Sequence, residues 1–222
     1  MCRNRSRNTG ATRFCVLVAV GFFISFLSLS ASARQPLQSR FGFKVVLAAG
    51  WIQVSVAETK RLGAGVDGAT LGVPNADKDT LSQIIEQIKT GNVEFYLDTL
   101  NSTKEFTNNV SVQLREKSED YVHATRTEIE RLCRGLKSGL AGALGTAVQV
   151  KECVSTSSNG TPGLAYRYYI PALNKFIVQY EVPFDATRTA IIVGGGTGEG
   201  EGDHRITLCI NSLLRAITRR QR

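Results

Sequence analysis

Residues 163–194 read GLAYRYYIP (163–171), ALN (172–174), KFIVQYEVP (175–183), FDAT (184–187) and RTAIIVG (188–194). Three β-rich runs are parted by short polar breaks. Parallel strands need crossovers of a dozen or more residues, so these breaks predict an antiparallel meander. In the first run Leu164, Tyr166, Tyr168 and Ile170 share a face; in the second Phe176, Val178, Tyr180 and Val182 do. This period of two predicts a sheet with one apolar face that helices must cover.

Working outward, residues 206–217 carry the cleanest helical stripe in the chain: Ile206, Cys209, Ile210, Leu213, Leu214 and Ile217. Upstream, 148–154 reads as a strand. Before it lies a helix that opens on Thr125-Arg126-Thr127-Glu128, with capping-box spacing, and lines its inner face with Ile129, Leu132, Cys133, Leu136 and Leu140. Strands are predicted over 93–100 and 110–116, and a helix with Leu81, Ile84, Ile85 and Ile88 on one stripe ends at Gly91. The alternation of Phe41, Phe43, Val45 and Leu47, a turn at Ala49-Gly50 and a return over 51–56 predict an opening hairpin. Residues 58–74, with glycines at 63, 65, 68 and 72, read as a loop. The order β-β-α-β-β-α-β-β-β-β-α defines an α+β fold, an antiparallel sheet covered by amphipathic helices.

The N-terminus is a separate matter. Arg3, Arg5, Arg7 and Arg13 precede an apolar run over 14–29, and Ala31-Ser32-Ala33 is a small-x-small cleavage signal. Residues 1–33 therefore read as a secretory signal peptide, with an uncleaved membrane anchor as the other reading. Residues 34–40 form a lead, 41–218 the single domain and 219–222 a basic tail, in a periplasmic or extracellular protein that stays tethered if the segment is not cleaved. The net charge of +8 shrinks accordingly: without the four leader arginines 23 basic and 19 acidic residues remain, and Arg215, Arg219, Arg220 and Arg222 account for that excess. A domain so close to neutral lacks the basic stripe of a nucleic-acid binder.

Three stretches resemble the PsbP-like family: the opening Phe41-Gly-Phe-Lys-Val-Val-Leu-Ala-Ala-Gly-Trp51, the strand Asn109-Val-Ser-Val-Gln-Leu114, and the Gln179-Tyr-Glu-Val-Pro…Arg188-Thr run within 176–193. The family includes an extrinsic photosystem subunit, a nuclear-import factor that binds the GTPase Ran, and bacterial envelope proteins such as DcrB. Ala48-Ala49 stands where a proline is usual, and the glycine-rich run over 194–202 is a further departure. The resemblance covers about residues 41–218. It implies an α/β/α sandwich that binds proteins and acts in assembly, without shared catalytic residues.

Cys2 and Cys15 belong to the leader, so the exported domain holds Cys133, Cys153 and Cys209. An oxidising compartment favours one disulfide. Cys133–Cys153 is the favoured pairing, closing a loop worth roughly 3 kcal/mol in the chain-entropy model; Cys133–Cys209 is the rival. Cys209 otherwise reads as a small buried hydrophobe. No Cys-x-x-Cys pair or Cys/His cluster suggests a metal, and no cofactor is expected. The run over 194–203 lies between a strand and a helix, but it has no Lys-Ser/Thr ending, and Glu199, Glu201 and Asp203 would repel phosphate. It reads as a flexible connection, with Asp203 capping the helix.

His123 and His204 are expected at the surface. Glu94, Asp98 and Glu181 alternate with apolar residues and are expected as solvated charges on faces opposite the core. Tyr96, Tyr169 and Glu181 would then form an exposed partner surface, and Arg215, Arg219, Arg220 and Arg222 would touch an acidic partner or a membrane surface. No catalytic set is legible. The expectation is a non-enzymatic protein-binding or assembly module of the cell envelope, with a carrier holding a small molecule or lipid between sheet and helices as the alternative.

Overall fold

The computed structural model describes residues 35–54, 78–90, 93–102, 107–117, 121, 123–197 and 201–220. The leader reading (1–33) and the whole of the 58–74 loop reading fall outside them, as do Arg222 and the side chain of Arg220.

Strands β1 (Leu37–Gln38) and β2 (Lys44–Val45) form a small antiparallel pair. Strands β3 (Trp51–Val54), β4 (Val93–Ser102), β5 (Thr107–Arg115), β6 (Gln149–Ser158), β7 (Thr161–Ile170), β8 (Lys175–Pro183) and β9 (Thr189–Thr197) form one antiparallel sheet in the order β3-β4-β5-β9-β8-β7-β6. Helix α1 (Lys78–Thr90) lies against β4, α2 (Arg126–Leu144) against β6, and α3 (Glu201–Arg220) against β9 and β5.

The meander β7-β8-β9 forms as its short breaks require, but its apolar faces do not coincide. The β7–β8 register sets Tyr168 opposite Ile177 and Tyr169 opposite Phe176. Leu164, Tyr166, Tyr168 and Ile170 therefore pack with Ile129, Leu136 and Leu140 of α2, whereas Phe176, Val178 and Val182 face the other way and pack with α3. The expectation of one apolar face is corrected: both faces are apolar, in different places, and each takes a helix.

The opening hairpin is also corrected. Phe43, Val45 and Leu47 are buried in alternation as read, but β2 pairs back onto β1 and β3 pairs with β4. Gly50 is the cause. It takes a positive φ of 81°, open to glycine at little cost, and its carbonyl accepts from Thr99 N at 2.7 Å, which commits β3 to β4. The sheet thus has seven strands, and the described residues nine.

Helix α3 supplies the largest core. Ile206, Cys209, Ile210, Leu213, Leu214 and Ile217 are all 3% exposed or less. Full burial of such side chains is worth about 1.5–3 kcal/mol each for the larger ones. The helix approaches β9 closely because Gly194 and Gly196 carry no side chain. A Cβ on Gly194 would collide with Ile206, and one on Gly196 would stand 2.8 Å from Ile206 Cδ1 and 2.9 Å from Asn108 Oδ1. Gly194–Gly196 are therefore strand residues against a helix and not the flexible connection expected. Asp203 lies two residues inside α3, 3.5 Å from Arg167, so it is not the cap.

Candidate binding groove

The short β1–β2 pair leans on the C-terminal half of α3. Its connection is set by Ser39: Ser39 N donates to Phe43 O at 2.9 Å, Gly42 N to Ser39 O at 3.0 Å, and Phe41 N to Ser39 Oγ at 3.0 Å. Gly42 takes φ 86° to complete the turn. Between this turn and α3 runs a groove of about 640 Å³. Phe43, Val45 and Ala216 line its base, and Val46, 52% exposed, gives it an apolar lip. Lys44 stands on one wall, Arg215 and Arg219 on the other, and no acidic residue lines it. Arg215 has one weak hydrogen bond, to Ser212 Oγ at 3.4 Å, and no carboxylate among the described residues pairs with Lys44, Arg215 or Arg219. Cations on facing walls, without internal neutralisation, attract an anionic ligand or an acidic segment.

The structure keeps Arg215 and Arg219 at the surface as expected and adds Lys44, which sequence order placed far away. His123 and His204 are exposed. The expected tyrosine surface is overturned. Tyr96 is fully buried in the α3 core, and only Tyr169 is partly exposed, donating to Asn174 Oδ1 at 2.9 Å.

The acids read as solvated charges are buried too. Asp98 is 0% exposed and grips Arg205 of α3 with two charge-assisted bonds, Arg205 Nε to Oδ2 at 2.7 Å and Nη2 to Oδ1 at 2.6 Å. Arg205 Nη2 also donates to Ala49 O at 2.8 Å, tying the 48–51 turn to the helix. Glu94, 3% exposed, accepts from Ser39 Oγ at 2.6 Å and from Gln53 Nε2. Burial pushes its carboxyl above the ordinary range, against the pull of Ser39 and the nearby Arg40.

On the opposite face Glu181, 8% exposed, is the centre of a polar knot. Its Oε2 accepts from Arg115 Nη2 and Tyr121 OH, each at 2.8 Å; its Oε1 accepts from Gln179 Nε2 at 2.9 Å and Tyr166 OH at 3.1 Å. Burial, then the adjacent carboxylate, pushes the Tyr166 phenol far up. Beside the knot lies a cavity of about 230 Å³ under α2, lined also by Leu132, Leu136, Leu164 and Cys153. Cys133 and Cys153 form a disulfide across Cα atoms 5.6 Å apart, and Cys209 is a buried thiol whose pKa burial raises further. Among the described residues no group of three or more His, Cys, Asp or Glu could hold a metal ion. No helix among them is long and apolar enough to cross a membrane.

No protein-family model matches the chain, and no curated protein sequence matches it significantly. Its fold is an α+β sandwich, an antiparallel sheet covered by helices. Among solved structures, the chain is similar to the solution structure of the cyanobacterial PsbP (CyanoP) from Synechocystis sp. PCC 6803, at 12% identity and a TM-score of 0.44, covering 81% of this chain and 88% of that one. It is also similar to the Ran-binding protein Mog1p of Saccharomyces cerevisiae, at 11% identity and a TM-score of 0.41, covering 83% of this chain and 92% of that one. These likenesses bring neither a role nor a site residue to this chain.

Proposed function

We propose that the chain is an exported, non-enzymatic binding and assembly module of the cell envelope, and that it docks a protein partner in the basic groove. The observation behind this reading is the facing set of Lys44, Arg215 and Arg219 around an apolar base, with no acid in the lining. A partner presenting carboxylates around an apolar side chain would satisfy both. The disulfide, which persists in oxidising compartments, and the leader pattern support export.

A carrier of a small molecule or lipid is the second reading, and the cavity under α2 is the observation behind it. At about 230 Å³ it falls below the roughly 300–1,000 Å³ usual for such sites, which favours the first reading. The test is in-cell crosslinking of the tagged protein followed by mass spectrometry, beside a Lys44→Glu/Arg215→Glu/Arg219→Glu variant and an exposed control, Lys137→Glu. One dominant protein, lost at least tenfold in the triple variant and retained in the control, is expected. Equal capture by the triple variant overturns the groove as the docking site. A co-purifying lipid or metabolite with no protein moves the assignment to the carrier.

A further inference from the structure

We propose that the Cys133–Cys153 disulfide is a reducible tether for α2, and that an external dithiol, by cleaving it, releases the C-terminal half of that helix from the sheet. Four observations converge on this. First, Ile129 is the only buried residue of α2; Leu136 and Leu140 are partly covered, and Leu132 is 53% exposed. Second, Gly135, Gly139 and Gly142 lie inside the helix, and a Cβ on any of them would meet nothing within 4 Å. Packing does not demand glycine there, so the chain carries weak helix formers where alanine would fit. Third, the only strong local anchor is at the other end. Thr125 and Glu128 form a complete capping box, with Thr125 N donating to Glu128 Oε2 at 2.7 Å and Glu128 N to Thr125 Oγ1 at 3.3 Å. Fourth, the covalent link starts mid-helix, at Cys133, and ends on β6, the edge strand of the sheet. From Cys133 to Leu144, the disulfide is the strongest restraint the helix has.

The bond is also reachable. Both cysteines are half-buried, and Cys153 lines the cavity under α2. A thiolate of the dithiol attacks Cys153 Sγ, the S–S bond breaks, and Cys133 leaves as a thiolate. The second thiol attacks the mixed disulfide and frees Cys153. The dithiol ends as a disulfide, two electrons pass to the pair, and each cysteine takes up a proton. Release uncovers Leu164, Tyr166 and the Glu181 knot on the α2 face. That surface is distinct from the groove, so this proposal stands or falls separately from the docking assignment.

The test is hydrogen–deuterium exchange on the full chain, oxidised and after treatment with dithiothreitol, with thiol alkylation to count reduced cysteines. Expected is reduction of the pair in the folded protein and at least tenfold faster exchange of amides in 133–144. The amides of α3 and of the first turn of α2 should change less than twofold. A Cys133→Ser/Cys153→Ser variant should reproduce the pattern without reductant. Adding Gly135→Ala, Gly139→Ala and Gly142→Ala to it should restore most of the protection. Unchanged exchange in 133–144 after reduction, loss of protection across the whole chain, or a bond that resists dithiothreitol while α3 stays protected would each overturn the proposal.

Discussion

Helices α2 and α3 are nearly equal in length, 19 and 20 residues, and cover opposite faces of one sheet, yet they are held by different means. Helix α3 presses six apolar side chains into the core, lies on glycines that let it come close, and clamps a buried carboxylate through Arg205. Helix α2 buries a single residue and relies on a capping box and a disulfide. Amphipathic periodicity in the sequence is present in both. Depth of burial depends on what the sheet offers beneath: bare backbone at Gly194 and Gly196 under α3, but the rings of Tyr166 and Tyr168 and a polar knot under α2.

Matched truncations should break the symmetry most visibly. Leu213→Ala in α3 removes a fully buried side chain and is expected to cost about 2–5 kcal/mol, whereas Leu140→Ala in α2 should cost about 1 kcal/mol or less. Urea unfolding of the two variants measures both, and equal losses would contradict the comparison. A smaller effect sharpens it by changing sign. Gly194→Ala forces a methyl into Ile206 and should destabilise by about 1–3 kcal/mol. Gly139→Ala meets open space and should stabilise by about 0.5–1 kcal/mol.

The smallest expected effect is electrostatic. Glu94 has a folded-state pKa above its unfolded value, because burial penalises the charged form. Its contribution is therefore fully present below the unfolded pKa and is lost as pH rises through the folded one. Urea midpoints taken from pH 4 upward should show this decline, and Glu94→Gln should flatten it. A variant with the same slope as the parent would remove Glu94 as its source.

The meander was legible because it is local: β7, β8 and β9 are joined by breaks of a few residues, so period and spacing suffice. The disulfide was legible for a related reason, since only Cys133, Cys153 and Cys209 lie beyond the N-terminal apolar run. The buried acids were not. Glu94, Tyr96 and Asp98 alternate with Phe95 and Leu97, and a half-buried strand read alone assigns the polar set to solvent. Arg205, the partner of Asp98, lies 107 residues further on, and Glu94 is met by Ser39 and Gln53 from elsewhere in the chain. The groove shows the same division. Arg215 and Arg219 stood out as a basic cluster, but Lys44 joins them only through the packing of β2 beside α3.

The place of β9 has a consequence for how the chain folds as it is made. In the sheet it separates β5 from β8, so β3-β4-β5 and β8-β7-β6 are two three-stranded pieces whose backbones are joined only through Thr189–Thr197. While the chain emerges N-terminus first, each piece waits with one long unsatisfied edge, a state open to mispairing. The pairing that ends it, Asn109 with Gly195, spans roughly half of the domain, and contacts of such range form slowly. A protein built this way completes its sheet only when nearly all of it has been synthesised, and it then locks from the middle outward.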